Sequence, residues 1–223
     1  GDGLIDALDP AHTQLNTAPE RIDPTRREIV VGGEAIPYHA LIASLPLPAL
    51  VGLLVDAPQA VRDAASKLRA TPVRYLNVAT KSPSPADWHW IYVPEPELPV
   101  YRVGVFSNAV PSLAPEGASS LYVELSSREP LTEASKTEAL ESLVTIGAIA
   151  SVDDVLFADE RLIDPAYVVF DEHYESATAT IHAYLEERRI FARGRYGAWI
   201  YNSMEDSLLA GKEAAQRADA LPR

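Results

Sequence analysis

Apolar and polar positions along this chain change period several times, and each change marks an element. Leu4, Ile5 and Leu8 in LIDAL have helical spacing. EIVVGGEAIP, residues 28–37, reads as two strands, 29–31 and 34–36, joined by the two-residue turn Gly32-Gly33. The apolar run 40–44 that follows reads as a buried strand ended by Pro46. A helix is expected from Asp56 as N-cap, through Pro58 in the first turn, to about Leu68, with Val61, Ala64, Ala65 and Leu68 on one face.

Five runs rich in β-branched and aromatic residues come next, at 72–80, 88–93, 100–107, 120–126 and 154–163. Between the last two, 132–148 is expected to form a helix whose stripe is Leu140, Leu143, Val144 and Gly147. A further strand at 166–170, a helix at about 176–187 and a strong helix over 203–220 complete the chain. Adjacent strands with few helices between them argue for an antiparallel α+β layer and against a Rossmann repeat.

Length and charge narrow this picture. At 223 residues the chain fits one large domain or two intimate ones. Its 32 acids against 19 Lys and Arg give a net charge of -13, which repels phosphate backbones and argues against nucleic acid as a partner. With no cysteine there is no disulfide, thiolate metal site or Cys nucleophile, and a reducing cytoplasm fits that usage. The longest apolar stretch, 40–55, contains Pro46 and Pro48 and is too short for a membrane span. The opening GDGLIDALDP has neither the basic region nor the apolar region of a signal peptide. None of the 11 glycines forms G-x-G-x-x-G, so a dinucleotide fingerprint is absent, as are a P-loop, G-x-S-x-G and H-E-x-x-H.

The candidate chemistry gathers near the C-terminus. Ser203 precedes Met204-Glu205-Asp206 in the S-x-x-D form of a helix start, and Met204, Leu208, Gly211, Ala215 and Ala218 recur as a seam. A helix N-terminus suits a negative ligand edge such as the pyrimidine side of a reduced flavin, although a well-capped surface helix accounts for the same pattern. Arg102 alternates with Gly104 and Phe106 on one strand face, opposite Tyr101, Val103 and Val105. It suits either an anion contact or a salt bridge to Glu124. Trp88, Trp90 and Tyr92 share a face, as an aromatic wall or as ordinary packing. The five histidines have no metal-ligand spacing, the nearest approach being EHYE at 172–175, and no metal site is expected. The acids at 153–154 and 159–160 read as solvated turns.

Gly194-Arg195, five residues, Tyr201, one residue and Ser203-Met204-Glu205 together resemble the closing flavin-binding motif of UDP-galactopyranose mutases and related amine-oxidase and protoporphyrinogen-oxidase-like flavoproteins. LNTAPERID at 15–23 is similar to that family's strand beside the adenosine half of FAD, and SLPLPAL at 44–50 to its crossover into the substrate domain. WIYVPEPELPVYRVGVFSN at 90–108 resembles the sheet of its active-site cleft, and AYVVFDEHYE at 166–175 its tyrosine-bearing segment.

The resemblance implies FAD as cofactor, with Gly194, Arg195, Ser203, Met204 and Glu205 facing it, and Arg102, Tyr167 and Tyr201 facing substrate. No catalytic residue follows from it. Mutases usually carry Asp where this chain has Ser203. The implied fold is α+β: a mostly antiparallel substrate-domain sheet with flanking helices, plus partial elements of an FAD-binding domain. Residues 1–56 are expected to be FAD-domain elements, 57–170 the substrate domain and 171–223 the return with the flavin-facing helix. The chain then reads as the C-terminal portion of an FAD-dependent, amine-oxidase-like oxidoreductase, inactive in isolation. A mutase-like sugar-nucleotide isomerase and a non-catalytic binding or oligomerisation module are the alternatives. Expected partners are a small-molecule substrate and either the missing N-terminal half or another protomer.

Overall fold

The chain, described here by a computed structural model over residues 8–222, starts with an antiparallel meander of β1 (Arg21–Asp23), β2 (Glu28–Val31) and β3 (Glu34–Pro37). Gly32 and Gly33 take φ of 58° and 80°, the two positive values a tight hairpin turn requires, and the register Val31 to Glu34 closes it. The helix expected over 4–8 lies, but for Leu8, outside the described residues. β4 (Leu41–Ala43) runs into α1 (Leu47–Gly52), where Pro48 is tolerated because the first-turn amides have no intrahelical partner. α2 (Gln59–Lys67) buries Val61, Ala64 and Ala65 as the periodicity predicts. Its N-cap, however, is Pro58 without a side-chain bond, because Asp56 sits in the left-handed region at φ 54° and turns the chain instead.

The strand-rich middle follows: β5 (Ala70–Thr80), β6 (Trp90–Tyr92), β7 (Val100–Val105), the single turn α3 (Phe106–Ala109), β8 (Ser119–Leu125), α4 (Glu133–Thr145) and β9 (Val155–Val168). The sheet order is β6-β7-β8-β5-β9, and the first three pairings are antiparallel. Flanking bonds from the Lys81 amide to the Asp154 carbonyl and from the Val169 amide to the Arg69 carbonyl run β9 antiparallel to β5. The runs expected at 154–163 and 166–170 are one strand, continuous through the cis Asp164-Pro165 peptide. On α4, Ala139, Leu140, Ser142 and Leu143 are buried, whereas Val144 is exposed and Gly147, at φ 71°, lies beyond the helix. Leu140 and Leu143 pack with Leu76, Val78, Val103, Leu121 and Val123 in one apolar layer, each buried side chain worth roughly 1.5–3 kcal/mol.

The chain ends with α5 (Tyr174–Glu186), β10 (Ile190–Ala192), α6 (Gly194–Gly197) and α7 (Met204–Asp219). Two compact units result, residues 70–167 forming one and the segments up to Arg69 and from Val168 the other. The fold is α+β with mostly antiparallel strands. Among the described residues no helix is long and apolar enough to cross a membrane.

In the first unit β4 and β10 pair in parallel, Leu41 with Ile190 and Ala43 with Ala192. Parallel strands ordinarily lie in sheets covered on both faces, yet this sheet has two strands and Ile42 is 44% exposed. α2 packs on α5, and Ile22, Leu47, Leu50, Ile181, Leu185 and Ile190 form the buried interior. Glu186 ties the C-terminal elements together. Arg217 donates two hydrogen bonds to it at 3.1 and 2.9 Å, Arg193 a third at 2.8 Å, and the Arg217 guanidinium lies 4.7 Å from the Phe191 ring centroid.

α6 meets the carboxyl ends of β4 and β10 so closely that a Cβ on Gly197 would lie 2.6 Å from the Ala43 carbonyl oxygen. Gly197→Ala is therefore expected to cost about 1–3 kcal/mol in urea unfolding. Gly211→Ala, with nothing within 4 Å of the added carbon, should gain up to about 1 kcal/mol from helix propensity.

The hydrogen bonds from Arg217 and then Arg193 outweigh burial and hold the Glu186 carboxyl down at about 2, below its ordinary 4.5. A folded value below the unfolded one gives stability that is complete above about pH 4.5 and lost as pH falls towards about 2. Thermal melts between those limits should show a steeper acid loss for the wild type than for Glu186→Gln.

Candidate functional site

In the first unit, Gly194 opens α6 at φ 76°, and a Cβ there would come within 3.9 Å of the Ser207 hydroxyl on α7. Arg195 donates to the Asn202 carbonyl at 3.2 Å, and its guanidinium stands 4.6 Å from the Tyr201 ring centroid. The five-residue spacing works because Trp199, 3% exposed and at φ 57°, turns the chain back on a buried anchor. No local pattern marks a tryptophan for the left-handed region, so this residue is invisible to sequence reasoning. The Asn202 side chain in turn accepts from Ser207 at 3.3 Å. Gly194, Arg195 and Tyr201 thus gather at the start of α7.

Ser203 is the N-cap of α7, as its pattern predicts. Its hydroxyl accepts from the Asp206 amide at 3.1 Å, and the Asp206 carboxylate accepts from the Ser203 amide at 2.9 Å. Those hydrogen bonds from Ser203 hold the Asp206 carboxyl below its ordinary value. The Met204 and Glu205 amides precede the first possible intrahelical acceptor. Both side chains are exposed, Met204 at 87%.

The seam read along α7 is displaced. Met204, Leu208 and Ala215 face solvent, whereas Ala214 is buried and Ser207, Ala210, Gly211, Arg217 and Ala218 are half-buried. The helix packs by its small and short side chains against α6 and β4. Its larger apolar residues, Met204, Leu208 and Leu209, are left outside.

In the second unit, the register places Tyr92, Arg102, Glu124 and Tyr75 in one row across β6, β7, β8 and β5. Trp90, Gly104, Tyr122 and Asn77 form the next row. Arg102 and Glu124 form a salt bridge, and Arg102 also donates to the Tyr167 hydroxyl at 3.1 Å. The salt bridge, not an isolated anion contact, is the arrangement present. Burial opposes the Arg102 charge, but Glu124 and Tyr167 raise its pKa above the ordinary value and keep it cationic.

Tyr101 does not sit opposite Arg102 as strict alternation predicts. A bulge between Val100 and Arg102 breaks the period, and burial followed by Glu124 pushes the Tyr101 hydroxyl up. Gly104 lies beneath Tyr122, and a Cβ on it would sit 2.0 Å from that ring. Burial raises the Tyr122 hydroxyl as well.

The aromatic wall is shorter than expected. Trp90 and Tyr92 meet edge to face at 5.2 Å and are 53% and 62% exposed, while Trp88 packs against the core. Glu160 is not in a solvated turn. It lies in β9, forms a salt bridge with buried Arg74 and accepts from the Leu131 amide. His173 and Glu172 lie 3.8 Å apart and are largely exposed. Tyr75 and Tyr122 share these rows with Arg102 and Gly104, and alternation carried across the neighbouring strands could have found them.

No family model matches the chain. Among solved structures the chain is similar to a reduced UDP-galactopyranose mutase, at TM-score 0.88 and 23% identity over 99% of this chain and 51% of that one. A putrescine oxidase variant redesigned in cofactor binding aligns at TM-score 0.73 and 14% identity, over 98% of this chain and 51% of the oxidase. A putative protoporphyrinogen oxidase from Exiguobacterium sp. 255-15 aligns at 0.66 and 10%, over 87% and 44%. The fold is shared with these proteins, and the chain spans about half the length of each.

Replacing Gly104 by Ala should displace Tyr122 and cost about 1–3 kcal/mol. In the Gly104→Ala, Tyr122→Ala double variant the two losses should fall short of additivity, because the second change removes the clash. Urea titrations of the four proteins give that coupling directly.

Proposed function

We propose that this chain is the substrate-domain and C-terminal portion of an FAD-dependent, amine-oxidase-like oxidoreductase. The observation carrying this reading is the pairing of a fold shared with half of a reduced UDP-galactopyranose mutase, a putative protoporphyrinogen oxidase and a putrescine oxidase variant with the clustering of Gly194, Arg195 and Tyr201 at the start of α7. The two-stranded parallel sheet supports it, since β10 is buried while Ile42 of β4 stays exposed, as at the edge of a larger parallel sheet continued by a glycine-rich nucleotide-binding half. That half comes from preceding sequence or from another protomer.

The residues present fit an FAD edge. The Met204 and Glu205 amides point out of a helix start that carries partial positive charge, and Arg195 is oriented there by Asn202 and Tyr201. Gly194 and Arg195 are assigned to the phosphate-bearing part of the cofactor and Ser203, Met204 and Glu205 to its flavin part. When bound, the flavin supplies a two-electron acceptor for hydride from substrate. On the second unit Arg102 and Tyr167 are assigned to substrate, the Arg102 charge being balanced by Glu124, and on the first unit Tyr201 is assigned to substrate by the family resemblance.

A mutase-like reading is favoured by the likeness at TM-score 0.88, and two arginines suit a diphosphate. Ser203 in place of the usual Asp weighs against it. A non-catalytic module remains the third reading, supported by the absence of a G-x-G-x-x-G fingerprint.

The longest natural polypeptide containing this sequence should purify with a flavin absorption spectrum, and Arg195→Ala should weaken FAD retention at least tenfold in equilibrium dialysis. A colourless polypeptide that ignores added FAD overturns the proposal in favour of the non-catalytic module. Saturable binding of a uridine diphosphate sugar to the flavin-bearing form selects the mutase-like reading.

A further inference from the structure

The face of the second unit that carries Arg102 does not end at Tyr122. Along β8 the side chains of Glu124, Tyr122 and Ser120 recur at about 7 Å per step, and β5 matches them with Tyr75, Asn77 and Ala79. Beyond the Tyr122 row the character changes from polar to apolar. A groove of about 540 Å³ opens there, lined by Ala79, Phe106, Leu113, Leu156 and Phe157 among others.

Three observations mark this groove as a binding site. Its volume falls in the range of small-molecule pockets, roughly 300–1,000 Å³. Its large apolar side chains stay uncovered, Leu113 at 54%, Leu156 at 63% and Phe157 at 56% exposed, and a contiguous exposed apolar patch of this kind marks a binding groove. It is also continuous with the polar row, because Phe106 packs on Tyr122 with ring centroids 4.8 Å apart.

Charge decides which end of a ligand points where. The ionic groups on this face are paired, Arg102 with Glu124 and, two and four residues past Phe157 along β9, Asp159 with Arg161 at 2.6 Å, and the Tyr167 hydroxyl accepts from Arg102. We infer that the groove takes an elongated apolar small molecule, aliphatic or aromatic, whose uncharged polar head reaches the Tyr122 and Arg102 rows. This assigns a substrate class to the face named above, and the groove needs no cofactor to bind.

The test uses the whole chain and N-phenyl-1-naphthylamine, an uncharged apolar probe whose fluorescence rises on burial. One saturable site per chain is expected. Phe157→Asp and Leu113→Asp should each weaken binding at least tenfold, while Leu208→Asp, which alters an equally exposed leucine of α7, should leave it unchanged. Both groove positions are exposed, so circular dichroism melts should match the wild type. A 1-alkanol should displace the probe at least tenfold more effectively than the alkylammonium or alkanoate of the same chain length.

Absence of saturable binding overturns the inference, and so does probe binding that survives both groove variants. Stronger competition by a charged head overturns the head assignment. A concentration-dependent dimer dissolved by Phe157→Asp in light scattering overturns the small-molecule occupant in favour of a second copy. Because the probe binds without flavin, a colourless polypeptide that still binds it would refute the oxidoreductase reading and leave the groove standing.

Discussion

The parallel pairing of β4 with β10 is the constraint on which the first unit depends. It joins segments from opposite ends of the sequence, Leu41–Ala43 and Ile190–Ala192, and no local preference favours such a contact. Once formed, it fixes where α6 begins. The 2.6 Å approach to the Ala43 carbonyl then admits only glycine at 197, and the turn at Trp199 brings Tyr201 back over Arg195. The start of α7 inherits its position from this chain of contacts. Glu186 secures the arrangement from the other side by holding Arg193, the residue after β10, and Arg217 of α7 on one carboxylate.

The second unit follows a different logic, in which a single sheet separates two environments. One face is sealed by α4 and buries Leu76, Val103, Leu121 and Val123. The other carries tyrosines, a tryptophan and the internally balanced Arg102–Glu124 pair. A mid-strand Arg beside a mid-strand Glu is costly to desolvate, and removing either partner leaves a charge without its complement. The bulge at Tyr101 and the small Gly104 allow that pair and the Tyr122 ring to share a narrow strip of sheet.

Much of this was legible in sequence because the relevant signals are local. The Gly32-Gly33 hairpin, the capping box at Ser203 and the buried face of α2 depend on neighbours a few residues away, and each forms where its pattern indicates. The misses share a cause. The seam of α7 was read from Met204 and Leu208, but its packed face uses Ala210 and Ala214, since the close approach of α6 leaves no room for large side chains. Alternation placed Tyr101 opposite Arg102, and a bulge is not encoded in period two. The runs 154–163 and 166–170 read as two strands in sequence, and they form one. At the candidate site, the motif from Gly194 to Glu205 was visible as spacing, whereas Trp199, and the choice between an anion contact and the Glu124 salt bridge for Arg102, required the tertiary pairing.

The second unit begins with β5 and ends with β9, and these two strands are neighbours in its sheet. At the neck, the Val169 amide donates to the Arg69 carbonyl at 3.0 Å, so the chain leaves the first unit and returns to it at nearly the same point. Closing so long a loop costs entropy that grows only slowly with its length, and here the adjacent strands pin the closure. The inserted unit is therefore self-contained at its ends: because it begins and ends side by side, its length can change without moving the point at which the host chain is interrupted.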